Sequence, residues 1–91
     1  MWIEELLDGF KCPICGGEAE VLMDVYYAPR KNEYGMHDTY CRATLFCVHQ
    51  HDGVQEIESE MYRFAEGKKD AVEEGIDFVY IFFGEYRKEN K

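Results

Sequence analysis

The sequence lacks the features that would take a chain into or across a membrane. Residues 1–5 show neither the basic region nor the long apolar region of a signal peptide. The longest apolar run, residues 78–83, is far too short to span a bilayer. These absences predict a cytoplasmic protein that makes no membrane contact and whose cysteines are reduced.

Positive charge is also scarce. Ten Lys and Arg stand against 19 Asp and Glu, which gives a formal net charge of −9, and the acids are densest over residues 52–77. Because phosphate contacts depend on Lys and Arg, this balance disfavours general nucleic-acid binding. We expect the acids to form a solvated face that keeps the protein soluble. The sharper alternative is a surface that mimics DNA or docks on a basic partner.

Catalytic motifs are missing as well. The chain has no His-Glu-x-x-His pair, no phosphate-binding loop and no serine nucleophile elbow. We therefore expect a protein that is not an enzyme.

What the sequence does have is a pair of closely spaced cysteines. Cys12 and Cys15 are separated by two residues and are followed at once by two glycines. This spacing lets both sulfurs reach one metal ion from a single tight turn, and the glycines let the chain fold back under the ion without a Cβ clash. The rival interpretation is a redox pair. In that type the first cysteine opens a helix, whereas glycines and a strand follow here.

A second group of potential ligands lies downstream. Cys47 ends a predicted strand and enters a turn, where it would complete a tetrahedral site with one more residue. His51 is the first candidate for that residue, with His49 and Cys41 as alternates. If one continuous strand joins Cys41 to Cys47, their sulfurs lie roughly 20 Å apart, which places Cys41 in the core instead. A mixed cysteine and histidine set favours one structural zinc ion (Zn2+) over iron.

The pattern of apolar residues predicts a small, β-rich α+β fold. Alternation indicates strands, and apolar stripes at three- and four-residue spacing indicate helices. The predicted elements are a short helix over 2–8, strands over 18–27 and 39–47 joined by a polar hairpin tip over 28–38, an element over 54–64 that fits a strand better than a helix, a short helix over 67–75 and a hydrophobic C-terminal strand over 76–83. His37, in the polar tip, is expected to be solvated.

Residues 12–17, followed by an apolar strand, resemble the first half of a zinc ribbon. They are similar to the small phage and bacterial ribbons of the restriction-alleviation (Lar-like) type. In those ribbons a Cys-Pro-x-Cys-Gly-Gly knuckle is followed by a hairpin and an aromatic strand, and then by a second knuckle of the form Cys-x-x-Cys-Gly. Residues 46–53 occupy the second position, with one residue inserted and histidine in place of the last cysteine. The resemblance implies a small intracellular, phage-derived accessory protein that acts through binding. We expect one domain over 1–91, with antiparallel zinc-ribbon-like hairpins over 10–55 and a C-terminal extension over 56–91.

The function that these features favour is a non-catalytic, zinc-stabilised module that binds a protein partner. Tyrosines are common interface anchors, and the alternative is that they pack in the core or on the sheet. The candidate contact residues flank or occupy the hairpin tip: Tyr26, Tyr27, Arg30, Lys31, Tyr34 and Tyr40. Two other functions stay open: a zinc ribbon that binds nucleic acid by stacking its bases, and a Cys-x-x-Cys redox or hydrolytic metal enzyme. A homodimer is also possible if the predicted strand over 76–83 lies at a sheet edge.

Overall fold

Four antiparallel strands and one α-helix make up the described part of the chain. In the computed structural model, which describes residues 1–48 and 56–88, the strands form one sheet in chain order. The elements are β1, Trp2–Lys11; β2, Glu18–Lys31; β3, His37–Cys47; β4, Ile57–Ala65; helix α1, Lys68–Phe82; and a 3-10 turn, Gly84–Tyr86. The predicted small, β-rich α+β class is confirmed. Neither of these described helices is long and apolar enough to cross a membrane.

The central strands, β2 and β3, alternate as the sequence predicts. In β2, Val21, Met23 and Val25 are fully buried, and the residues between them are less so. Val21 lies opposite Leu45 of β3, and Val25 lies opposite Cys41. Because directly opposed residues of antiparallel strands share a face, these side chains form one apolar surface.

The ambiguous segment over 54–64 is a strand in the part that the structure describes. β4 pairs with β3 from Ile57, opposite Leu45, to Ala65, opposite His37. From residue 56 onward, the predicted C-terminal extension therefore contributes a strand to the same sheet as the ribbon-like region.

The N-terminal segment is also a strand, so the predicted helix over 2–8 is wrong. β1 pairs with β2, which puts Ile3 on the apolar surface and leaves Trp2 and Leu6 on the other face. The same residues fit a helical stripe because both faces of this strand carry apolar side chains. Gly9, with φ of +87°, lies within a register shift of β1 and forms a bulge instead of a helix end.

The hairpin between β2 and β3 has a shorter tip than predicted. Since β2 continues to Lys31, the tip is confined to residues 32–36. The side-chain oxygen of Asn32 accepts N–H hydrogen bonds from Tyr34 at 2.8 Å and from Met36 at 3.1 Å. Asparagine side chains stabilise tight turns in this way, which is why the chain reverses here.

His37, at the start of β3, is buried, so the prediction that it is solvated is wrong. Its Nδ1 lies 2.8 Å from the carbonyl oxygen of Ala28, and its ring centroid lies 4.5 Å from that of Tyr27. The histidine is therefore part of the packed interior, with Nδ1 hydrogen-bonded as burial requires.

Helix α1 runs through two predicted elements. The sequence predicts a helix over 67–75 that ends at Gly75 and a strand over 76–83, whereas the structure has one continuous helix, so the strand is wrong. The buried residues Ala71, Gly75 and Val79 follow one another at four-residue intervals and form the stripe that packs on the sheet. Residues 76–83 offer no strand edge, and dimerisation through such an edge loses its structural basis.

Gly75 occurs in the middle of α1 because the helix comes very close to the sheet. A Cβ added there would lie 2.9 Å from Cγ2 of Val25 and 3.0 Å from Sδ of Met23, which is closer than real Cβ contacts allow without a shift. The missing side chain therefore permits the close approach of α1 to β2. Its position explains why this glycine does not end the helix.

The two faces of the sheet have different surroundings. The covered face lies under α1 and is buried; its defining residues are Val21, Met23, Val25, Ala43 and Leu45. The open face carries the alternate residues of the same strands and is more exposed. The open face is therefore accessible to another molecule over the residues that the structure describes.

Candidate functional site

The turn that joins β1 to β2 holds the first two cysteines. Two backbone hydrogen bonds close it: the Cys12 N–H donates to the Gly17 carbonyl at 2.8 Å, and the Gly16 N–H donates to the Cys12 carbonyl at 2.9 Å. Gly16 has a φ of +70°, a left-handed conformation that L side chains rarely adopt. This glycine lets the chain fold back directly after Cys15.

Backbone N–H groups point at both sulfurs of the turn. The Ile14 N–H donates to Sγ of Cys12, and the Gly17 N–H donates to Sγ of Cys15, each at 3.4 Å. Each donor lies two residues after its cysteine, so the same local geometry occurs twice. Metal-bound thiolates accept N–H hydrogen bonds of this kind, which orient the sulfurs toward the ion. The turn therefore suits a pair of metal ligands.

Cys47 brings a third sulfur to the same place from the end of β3. It lies opposite Ala19, at the start of β2, so the sheet register carries it to the turn. Its Sγ is 3.7 Å from Sγ of Cys15, and the sulfurs of Cys12, Cys15 and Cys47 all lie within 4.8 Å of one another. Two sulfurs bound at about 2.3 Å to one tetrahedral ion lie about 3.8 Å apart. The three cysteines are close enough to hold one metal ion.

This cysteine cluster is continuous with the core. Cys12 and Cys47 belong to the buried group that contains Phe10 and Ala19, whereas Cys15 is exposed. An ion held here would join the β1–β2 hairpin to the end of β3. Its binding free energy would then contribute to folding, since the ligands come together only in the folded chain.

The other predicted metal ligands either lie away from this cluster or lie outside the described residues. Cys41 is buried on the covered face, where a Cβ added at Gly75 would lie 3.5 Å from its Sγ. Burial, followed by the negative charge of Asp24, raises the pKa of the Cys41 thiol to about 11. A thiol in this environment stays neutral. His49 and His51 lie outside the described residues.

The six residues predicted to contact a partner are spread over both faces and the hairpin tip. Tyr26 and Tyr40 lie opposite each other on the open face. Tyr27 is half-buried on the other side of the sheet, beside His37. The remaining three are exposed at the far end of the hairpin: Arg30, Lys31 and Tyr34. Two of the six therefore belong to the open face.

A row of four aromatic rings crosses the open face, one from each strand. Trp2 of β1 lies opposite Tyr26 of β2, Tyr26 opposite Tyr40 of β3, and Tyr40 opposite Tyr62 of β4. The ring centroids are 5.3 Å apart for Trp2 and Tyr26, and 5.9 Å apart for Tyr40 and Tyr62. With Arg42, the rings line a shallow cavity of about 400 Å³. We call these four residues the aromatic row.

Sequence reasoning missed two members of the aromatic row, Trp2 and Tyr62. A helix over 2–8 removes Trp2 from the sheet, and Tyr62 lies in the segment whose assignment was ambiguous. The alternation of side chains along the two segments could have found them. If both segments are strands, Trp2 lies next to Tyr26 in the sheet and Tyr62 lies next to Tyr40.

Acidic side chains make up half of the two register rows that follow the aromatic row on the open face. The adjacent register row contains Glu4, Asp24, Arg42 and Glu60, and the row beyond it contains Leu6, Leu22, Thr44 and Glu58. We call the carboxylates of these two rows the acidic patch: Glu4, Asp24, Glu58 and Glu60. Arg42 is the one cation in the two rows.

Arg42 and Glu60 connect the acidic patch to the aromatic row. A guanidinium nitrogen of Arg42 lies 3.5 Å from a carboxylate oxygen of Asp24, and Cζ of Arg42 lies 5.9 Å from the Trp2 ring centroid. The Tyr40 hydroxyl donates a hydrogen bond to Glu60, and this bond is the main reason why the pKa of Tyr40 is raised. Polar contacts therefore help to position two of the four rings.

Comparison of the chain with protein-family models, with curated proteins and with solved structures gives no match. Function has to be inferred from the cysteine cluster and from the open face.

Proposed function

We propose that the protein is a non-catalytic module, stabilised by one zinc ion, that binds a protein partner through its open face. The observation that carries this proposal is the aromatic row. Trp2 is 54% exposed and Tyr62 is 70% exposed, although both stand in a continuous row of rings. Tryptophan and tyrosine are enriched among interface anchors, since their rings bury a large area at a low cost in conformational entropy.

Zinc is the metal that best suits the cysteine cluster. It takes four ligands in a tetrahedron, and structural sites fill all four positions with cysteine or histidine. Cys12, Cys15 and Cys47 would supply three. From the spacing after Cys47, we propose His51 as the fourth ligand, with His49 as the alternate. Such a mixed set favours zinc over iron, and complete ligation by the protein leaves no position for a reacting water.

The geometry of the first cysteine turn supports the resemblance to a zinc ribbon. The glycine-dependent reversal and the paired N–H donors to sulfur are what a metal-binding knuckle requires. Reduced cysteines persist in the cytoplasm, which is the location we propose. An accessory role of the restriction-alleviation type rests on the resemblance alone.

Nucleic-acid binding is the second candidate, because a row of exposed rings also suits base stacking. The acidic patch counts against it, since phosphates would approach the carboxylates of Glu4, Glu58 and Glu60. A thiol-redox enzyme has less support. β2 follows Cys15, and the helix N-terminus that lowers the thiol pKa in many such enzymes is not next to it.

Site-specific photocrosslinking tests the proposal. A photoreactive phenylalanine analogue would replace Tyr62 on the open face or, as the matched control, Ile81, which is 81% exposed on α1. In extracts of cells that naturally express the chain, we expect a discrete protein adduct from position 62 only. Adding Trp2→Ala should reduce its yield severalfold. Equal adducts from both positions, or none from position 62, would overturn the proposal.

A further inference from the structure

We propose that the segment bound by the open face is an extended peptide rich in arginine and lysine. This inference rests on the function proposed above and adds the chemistry of the partner. Two features of the face select such a segment: carboxylates that outnumber the cations among them, and exposed rings that attract cations.

The first feature is the charge of the acidic patch. Arg42 pairs with Asp24 at 3.5 Å. Within residues 1–48 and 56–88, the carboxylates of Glu4, Glu58 and Glu60 form no ion pair. Negative charge beside an apolar surface attracts a cationic partner and orients it on approach. Glu4 and Glu58 are therefore available for cations of a second molecule, whereas Glu60 already accepts the Tyr40 hydroxyl.

The second feature is the aromatic row itself. Arginine and lysine cations bind over aromatic ring faces, and the described residues already make this contact twice. Arg42 lies 5.9 Å from the ring centroid of Trp2, and Arg87 lies 4.5 Å from that of Tyr80. The exposed rings of the row, Tyr62 above all, can receive cations from another molecule in the same way.

The dimensions of the row fit an extended peptide. Adjacent strands lie about 4.8 Å apart, so a row across four strands spans about 14 Å. Alternate side chains of an extended peptide lie about 6.6 Å apart on one side of the chain. Three such side chains would cover the row, with their charged ends within reach of the acidic patch. A sequence with a basic residue at every second position therefore fits best.

Charge also disfavours the other occupants of this face. A second copy of the chain would bring the same carboxylates face to face, and each copy carries a net charge of −9. Nucleic acid would place phosphates against the same groups. Like charges brought together at an interface weaken it by several kcal/mol in general, so a basic peptide is the favoured occupant.

Trp2 provides the readout, because it is the only tryptophan in the chain. The metal-loaded protein would be titrated with a short peptide of alternating arginine and threonine. Matched peptides would carry glutamine or glutamate in place of arginine, and oligothymidylate would represent nucleic acid. We expect the arginine peptide to change the tryptophan fluorescence and to bind at least about tenfold more tightly than the glutamine peptide. Its affinity should fall as the salt concentration rises.

Substitutions that remove single charges test the acidic patch. Glu4→Gln and Glu58→Gln should each weaken binding of the arginine peptide by about two- to fivefold. Asp77→Asn removes an exposed carboxylate from α1, on the other side of the sheet, and should leave the affinity unchanged. Circular dichroism and metal content would verify that each variant is folded.

Equal affinity for the arginine and glutamine peptides would overturn the inference, as would equal effects of Glu4→Gln and Asp77→Asn. If either result occurs while the crosslinker at position 62 still captures a protein, the proposed function stands and the basic chemistry is wrong. Preferential binding of oligothymidylate, with no adduct from position 62, would overturn both.

Discussion

The covered and open faces of the sheet consist of alternate residues of the same four strands, but they differ in size, charge and exposure. The covered face is apolar and buried, and it includes small side chains such as Ala43. The open face carries rings and carboxylates. Because successive side chains of a strand point to opposite faces, one sequence can place stability on one face and recognition on the other. Substitutions on the two faces should therefore have separable effects.

The largest effect should come from the cysteine cluster, which continues the covered face. Structural zinc contributes on the order of 10 kcal/mol of apparent binding free energy, as much as the whole stability of a small domain. We expect Cys12→Ser to lose the metal and to unfold. Cys41→Ser is the matched control, which should keep the metal and lose only about 1–3 kcal/mol. Metal content and chemical denaturation measure both, and equal losses would argue against the ion.

Gly75→Ala should have the next largest effect. In an ordinary helix this change stabilises by about 1 kcal/mol, but here the new Cβ would lie 2.9 Å from Val25. Overpacking should outweigh helix propensity, and we expect a net loss of about 1–2 kcal/mol. Adding Val25→Ala should remove the clash, so the double variant should lose less than the sum of the single losses. Additive losses in denaturation would show that the helix does not press on the sheet.

Two substitutions in β1 separate the faces within a single strand. Trp2→Ala, on the open face, should lower stability by about 1 kcal/mol and weaken arginine-peptide binding by about fivefold or more. Leu7→Ala, on the covered face and half-buried, should cost about 1 kcal/mol and leave binding unchanged. Denaturation and calorimetric peptide titration of both variants provide the comparison, since Trp2→Ala removes the only tryptophan fluorophore. Loss of binding in both would mean that the faces are not independent.

The smallest effect is on the pH dependence of folding stability, to which the buried Cys41 thiol contributes. Its pKa is about 11 in the folded chain against 9.0 for an unperturbed thiol. The folded state favours the neutral thiol. The contribution of Cys41 to folding stability is therefore complete below about pH 9 and is lost as the pH rises toward 11. Between about pH 9 and pH 10, wild-type protein should lose more stability than Cys41→Ala, by about 1 kcal/mol. Equal changes in unfolding free energy with pH for wild-type protein and Cys41→Ala would contradict this.

The elements that the sequence predicted well are those whose two faces differ. β2 and β3 alternate between buried apolar and more exposed side chains, and this contrast fixes both the period and the register. The first cysteine pair was also readable, because its chemistry depends on spacing within one turn.

The elements that were predicted wrongly from the sequence carry apolar residues on more than one face. Residues 76–83 fit a strand by alternation, although Val79 and Phe83 continue the buried stripe of α1. Gly75 looked like a helix end, and only tertiary contact with β2 explains it as a close approach. Trp2 was misplaced for the related reason that β1 is apolar on both faces. Local sequence does not record which of two apolar faces will be covered.

The most direct test of the account is native mass spectrometry of protein purified without added metal, before and after treatment with a strong chelator. We predict one zinc ion per chain and unfolding when it is removed, with cobalt substitution reporting whether a histidine completes the set of Cys12, Cys15 and Cys47. A metal-free, folded chain in which Cys12 and Cys15 are oxidised to each other would contradict the account, and it would make redox chemistry the leading function.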